Sequence, residues 1–349
     1  MSLPNEKKNP MLTPNRVGLT KKDYAGAAST LCTGCGHDSI TLHLISAFYE
    51  LAIEPHRVAK FSGIGCSSKT PAYFLSGSHG FNAVHGRMPS VATGANAVRP
   101  DMINIAVSGD GDTASIGLGQ FAHLIRRNVK MLYIIENNGV YGLTKGQFSA
   151  TADKTSVLKK GDRNLFEPID LCLLALSLGC DFVGRSFSGD VKQVLPLMKS
   201  GLSHNGLAVL DIISPCITFN NHEGSTKSYK FVKEHDEYLH EIGFVHGAEE
   251  IQVDYDEGET RIVDLHDGSK ITLKKLDRDY DPTNRTEAMR FLEEAREQKL
   301  FLTGLFYINP KSPSFSQMLD LIDEPLVAVS QEQLQPSRES LNEIMTALM

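Results

Sequence analysis

The sequence predicts an α/β fold, a parallel sheet with helices on both faces, followed by a C-terminal extension. Three observations point there. From Tyr24 to about Asn220 short apolar runs alternate with helix-patterned segments. One run, VKMLYIIENN at 129–138, is apolar almost throughout, as a strand buried on both faces must be. The strand-like INIAVSG (103–109) ends in a glycine-rich turn that opens a helical stretch, the start of a right-handed crossover.

The elements follow in order. MSLPNEKKNPMLTPNR is polar, carries prolines and lacks the apolar centre of a signal peptide, so residues 1–23 read as a flexible lead-in. SITLHLISAFYELAI (39–53) reads as a helix and RVAKFSG (57–63) as a strand ending in glycine. After INIAVSG, ASIGLGQFAHLIRRN (114–128) gathers Ile116, Phe121, Leu124 and Ile125 near one helical face. PIDLCLLALSLG (168–179) is a helix, DFVGRS (181–186) a strand, VKQVLPLMKSGLSHN (191–205) a helix and LAVLDIIS (207–214) a strand. This unit covers 24–225. Beyond it, residues 226–349 change character: acidic strands with DG turns (246–277), a helix and apolar segment (286–310), and a short amphipathic helix at 337–349.

Composition narrows the classes of function. A net charge of −7 provides no basic face for broad nucleic-acid binding. No apolar run approaches the ~18 residues of a membrane span, and a cytoplasmic protein is expected. Six cysteines are few for a disulfide scaffold and suit free thiols or metal ligands. Cys172 and Cys180 lie in an apolar helical run and read as small buried hydrophobes. Cys32, Cys35, Cys66 and Cys216 sit beside Gly, Ser or Pro in turn-like sequence.

The chemistry concentrates where two strands end. In a parallel crossover the turn after INIAVSG and the turn after VKMLYIIENN emerge at the same carboxyl edge, where open α/β sheets bind ligands. Asp110 there offers a carboxylate, Asn138 an amide oxygen and Val140 a backbone carbonyl. Three such oxygens leave an octahedral Mg²⁺ room for two phosphate oxygens and a water. Gly111 and Gly139 allow close backbone approach, and the helix N-terminus that follows favours phosphate. Between Gly111 and Asn137 lie 25 residues, 112–136.

This spacing resembles the thiamine diphosphate motif: GDG, about 25 residues, then NN. Further blocks, LCTGCGH (31–37), GIGCSSKTP (63–71), HGRMPSVATGA (85–95), NNGVYGLTKGQ (137–147) and SPCITFN (214–220), occur in the order seen in β subunits of 2-oxoacid:ferredoxin oxidoreductases. The likeness covers roughly residues 24–220 and extends more loosely into the C-terminal part.

The resemblance implies a thiamine diphosphate-binding fold and specific roles. Thiol count alone leaves zinc and iron–sulfur open; the family places 4Fe–4S ligands at Cys32, Cys35, Cys66 and Cys216. It implies cofactor contacts at Ile64, Gly65, Cys66, Ser67, His85, Gly86, Gly111, Asp112, Gly142, Leu143 and Thr144, with His85 donating to phosphate. The glutamate that promotes ylid formation belongs to the family's α subunit, so the chain is expected to be inactive alone. Coenzyme A, ferredoxin and a 2-oxoacid are the implied partners. Lys69, three residues after Cys66, matches a lysine of members that accept 2-oxoglutarate; with Leu143 across the substrate it implies that preference. Pyruvate or another 2-oxoacid, a non-redox thiamine diphosphate lyase, a zinc-bearing nucleotide module and a relic subunit remain as alternatives. Reaction direction and αβ or α2β2 assembly stay open.

Overall fold

A computed structural model describes residues 12–154, 156–157, 162–218, 252–264, 270–277, 280–298 and 300–349. Its strands are β1 (Val58–Ser62), β2 (His79–Asn82), β3 (Ile103–Gly109), β4 (Met131–Asn137), β5 (Val140–Tyr141), β6 (Gln147–Phe148), β7 (Phe182–Phe187), β8 (Leu207–Ile213), β9 (Thr260–Asp264), β10 (Lys270–Lys275) and β11 (Phe301–Ile308). Nine of them form one sheet in the order β2-β1-β3-β4-β8-β7-β11-β10-β9, while β5 and β6 make a small hairpin. From β2 to β7 every neighbouring pair is parallel.

The apolar run of β4 divides by alternation. Met131, Tyr133 and Ile135 join one core, and Leu132 and Ile134 join the other. On the first face α2 (Met88–Val98), α3 (Leu118–Arg127) and α4 (Leu171–Ser177) bury Met88, Phe121, Leu124 and Leu176. On the second, α1 (Gly36–Leu51) and α5 (Val191–Ser203) bury Ile40, Leu44, Phe48, Val194 and Met198. The periodicities of 2 and 3.6 thus produce the expected three layers.

The sequence pattern does not announce β2 or α2. The helical segment after β3 also begins differently from its pattern: residues Gly111–Ile116 form one π-helical turn before α3 starts at Leu118. Wide turns of this kind are frequent at functional sites.

The C-terminal extension is built onto the sheet. β11 lies antiparallel against β7, β10 runs parallel to β11, and β9 closes the edge antiparallel. Helix α6 (Arg285–Glu297) packs Ala288 and Leu292 into the first core. Of the N-terminal lead-in, residues 1–11 lie outside the described residues. Asn15 ties the following stretch to α1, donating from Nδ2 to Tyr49 O at 2.9 Å and to Tyr24 Oη at 2.8 Å.

Candidate active site at the carboxyl edge of the sheet

β3 and β4 are adjacent, with Gly109 paired to Glu136, so Asp110 and the Asn137–Asn138 pair leave the sheet at one edge. A single pocket opens there. Its walls are Ile64–Ser67, His85, Gly109–Asp112 and the Asn138 to Thr144 turn, with His37 and Glu136 behind. It therefore gathers Ile64, Gly65, Cys66, Ser67, His85, Asp110, Gly111, Asp112, Asn138, Val140, Gly142, Leu143 and Thr144. Gly86 stands one step behind this lining, and Lys69, Cys32, Cys35 and Cys216 lie outside it.

Asp110 is buried, and its oxygens are used unequally. Oδ2 accepts from Thr151 Oγ1 at 2.6 Å and from the Ser149 hydroxyl; Oδ1 accepts only a long bond, 3.4 Å, from Asn138 N. Burial pushes this carboxyl above its usual range. Among the described residues no cationic side chain pairs with it. A buried carboxylate with one oxygen lightly used has the chemistry of a cation ligand.

Asp112 works as a clamp between loops. Oδ1 accepts Gly86 N at 2.8 Å, Ile64 N at 3.4 Å and the His85 Nδ1 proton, while Oδ2 accepts Ser108 Oγ at 2.6 Å. With Nδ1 committed to Asp112, Nε2 is the ring nitrogen left for another partner. Gly86 has φ +72°, and a Cβ there would stand 2.8 Å from Gly117 N, so only glycine fits this crossing. Gly111 leaves space for a side chain rather than for open approach: a Cβ would lie 2.5 Å from the Tyr141 ring, whose hydroxyl donates to Gly111 O at 2.9 Å.

Glu136 and His37 form the back wall and were not singled out from sequence. Glu136 is fully buried and accepts Thr70 Oγ1 at 2.9 Å. Burial raises its carboxyl well above the ordinary value and pushes His37 down to about 4. The imidazole is therefore neutral at pH 7, and burial favours the protonated form of the carboxyl. A signal was present: the glutamate closes an otherwise apolar buried strand.

Three of the thiol loops meet beside this pocket. Cys66 borders the pocket itself. Burial, Cys216 and Cys32 all raise its thiol, and Cys216 also raises that of Cys35, whose main perturbation is burial. Thr218 Oγ1 donates to Cys32 Sγ at 3.3 Å. All four cysteines thus share one electrostatic neighbourhood. Among the described residues there is no group of three or more His, Cys, Asp or Glu side chains that could hold a metal ion. A cubane cluster has a different demand, since each thiolate meets a separate iron.

Comparison with known proteins agrees with a thiamine diphosphate-binding pocket. Residues 63–212 match the family described as thiamine pyrophosphate enzyme, C-terminal TPP binding domain. Residues 270–324 match the C-terminal family of the pyruvate ferredoxin oxidoreductase beta subunit. The 2-oxoglutarate synthase subunit KorB of Methanocaldococcus jannaschii is 34% identical over 60% of this chain and 78% of its own length. The chain belongs to the β-subunit family of 2-oxoacid:ferredoxin oxidoreductases.

A Sulfolobus member of this family, a 2-oxoacid:ferredoxin oxidoreductase subunit beta, is 41% identical over 54% of this chain and 63% of its own. The match thus spans about three fifths of the first such relatives. A solved 2-oxoglutarate:ferredoxin oxidoreductase from Magnetococcus marinus, with 2-oxoglutarate, coenzyme A and succinyl-CoA bound, superposes with TM-score 0.72 and 29% identity. The superposition covers 93% of this chain and 96% of that one. The acidic turn and the asparagine pair, 25 residues apart, both fall inside the thiamine pyrophosphate-binding match.

Proposed function

We propose that this chain is the β subunit of a coenzyme A-dependent 2-oxoglutarate:ferredoxin oxidoreductase. The enzyme would convert 2-oxoglutarate and coenzyme A to succinyl-CoA and carbon dioxide, passing two electrons to ferredoxin, or run the reverse carboxylation. Asp110, Asn138 and Val140 would hold Mg²⁺ against the diphosphate, and His85 would donate to phosphate. Thiamine diphosphate, when bound, supplies the electron sink for loss of carbon dioxide. Cys32, Cys35, Cys66 and Cys216 would hold a 4Fe–4S cluster, suited to taking electrons singly. Asp112 ties the Ile64 and His85–Gly86 loops together, which supports a shared cofactor-contacting role for them. An α subunit would contribute the activating glutamate in a cytoplasmic complex.

One observation carries the reading: Cys66 lines the same pocket as Asp110 and Asn138. Cofactor pocket and thiol group share a wall, which a non-redox lyase does not require. Among the described residues no helix is long and apolar enough to cross a membrane.

The test is anaerobic co-expression with the α subunit. The complex should contain thiamine diphosphate and equal amounts of iron and sulfide, and reduce ferredoxin only with 2-oxoglutarate and coenzyme A. Cys35→Ala should abolish a broad visible absorbance that dithionite bleaches. An iron-free parent complex would overturn the cluster assignment, and turnover by the chain alone would overturn the role given to the α subunit.

A further inference from the structure

A buried polar relay reaches the acidic turn from three strands away. Arg185 on β7 donates from Nη2 to Asp170 and from Nε to Asp211, both at 2.8 Å. Asp170 caps α4, accepting the backbone N–H groups of Cys172 and Leu173. The other oxygen of Asp211 accepts Asn137 Nδ2 at 3.0 Å. Thr151 Oγ1 then stands 3.0 Å from Asn137 Oδ1 and 2.6 Å from Asp110 Oδ2, its single proton serving both acceptors. Ser149 donates to the same Asp110 oxygen and lies 3.0 Å from the Thr151 hydroxyl.

A carboxylate has two oxygens and can turn about its Cβ–Cγ bond. At Asp110 the two hydroxyls occupy one of them, which selects the other for a cation. Thr151 also fixes that carboxylate relative to Asn137, hence relative to the Asn138 amide one residue on. We propose that Ser149 and Thr151 are positioning residues for the metal–diphosphate end of the site: they hold Asp110 Oδ2 so that Oδ1 faces Mg²⁺, in register with an asparagine turn anchored by Asp211 and Arg185. This rests on the thiamine diphosphate reading above. The residues lie on the loop beyond β6 and stand behind Asp110, outside the pocket lining themselves. Loss of such outer partners commonly weakens metal binding tenfold or more.

The experiment measures two quantities on the full α/β complex after removal of metal and cofactor. One is the Mg²⁺ Kd by calorimetry in the presence of thiamine diphosphate; the other is the melting temperature without either ligand. Thr151→Val should raise the Kd by about tenfold or more while the ligand-free melting temperature moves by a few degrees at most. Thr151→Ser should restore parental affinity. An unchanged Kd with a lowered melting temperature would make the hydroxyls mere satisfiers of a buried charge and overturn the proposal. Should Thr151→Val fail to assemble, Ser149→Ala decides by the same Kd criterion. A parent complex that binds neither Mg²⁺ nor thiamine diphosphate would end the underlying reading, whereas a binding parent with equally binding variants ends this inference alone.

Discussion

His37 Nε2 lies 3.7 Å from Glu136 Oε2, and neither side chain is open to solvent. On its other nitrogen His37 meets Ser214 Oγ at 2.6 Å, and Glu136 accepts from Thr70. A buried carboxyl group and a buried imidazole thereby join the loops that carry Cys35, Cys66 and Cys216.

Because burial favours the protonated form of Glu136, Glu136→Gln should fold as well as the parent at pH 7. The sign follows from linkage. Folded Glu136 keeps a proton that the unfolded chain releases near 4.5, so the parent loses stability relative to the variant as pH rises above that value. His37 acts oppositely: folded it titrates near 4 against 6.5 unfolded, so its contribution is lost as pH falls from 6.5 to 4. Melting temperatures of both proteins across pH 4 to 8 check this; a constant difference between them would contradict the buried acid.

Lys60 supports the turn that carries Cys66 and Lys69. Its Nζ donates to Pro71 O at 2.6 Å, Phe74 O at 2.5 Å and Leu75 O at 3.0 Å, out of solvent. Lys60→Met should cost about 1–3 kcal/mol at pH 7, since buried carbonyls lose their donor. Burial pulls Lys60 down to about 8 from 10.5, so the unfolded chain binds more protons between these values and parental stability rises with pH there. The variant should lack that rise in denaturant titrations.

Arg185→Met should be the most damaging single change in the sheet. It leaves Asp170 and Asp211 buried without their cation, a loss of about 3–5 kcal/mol by analogy with other broken buried pairs. Urea unfolding measures it; a loss under 1 kcal/mol would mean water reaches the pair.

Lys69 lies outside the pocket lining, its Nζ 3.5 Å from Thr30 Oγ1, and Leu143 on the pocket's wall is half exposed. If it pairs with the distal carboxylate of 2-oxoglutarate, Lys69→Ile should raise KM for that acid by about tenfold, the value of one charged hydrogen bond. KM for pyruvate should stay near the parental value; equal rises for both acids would remove Lys69 from recognition.

The strands of the parallel region were legible because each is a short apolar run, and the pocket because its loops carry glycine, carboxylate and amide at a fixed spacing. β2 and α2 were not. HGFN is an exposed edge strand without alternation, and MPSVATGANAV packs through small residues that give little periodic contrast. The relay was illegible for a different reason. Arg185 in FVGRSF and Asp211 in LAVLDII each look like an interruption of an apolar strand. They become a pair only once β7 and β8 align them directly across the ladder. Ser149 and Thr151 likewise acquire meaning only when the loop beyond β6 folds back onto Asp110.

β7 is buried along all six residues and has β11 as its outer neighbour. A fragment ending at residue 218 would bare that whole flank, offering unpaired N–H and C=O groups along an apolar ribbon. Such a ribbon recruits further copies by strand addition. The distal third of the sequence therefore acts as a solubility guard for the cofactor half, so attempts to express that half by itself should yield self-associated material.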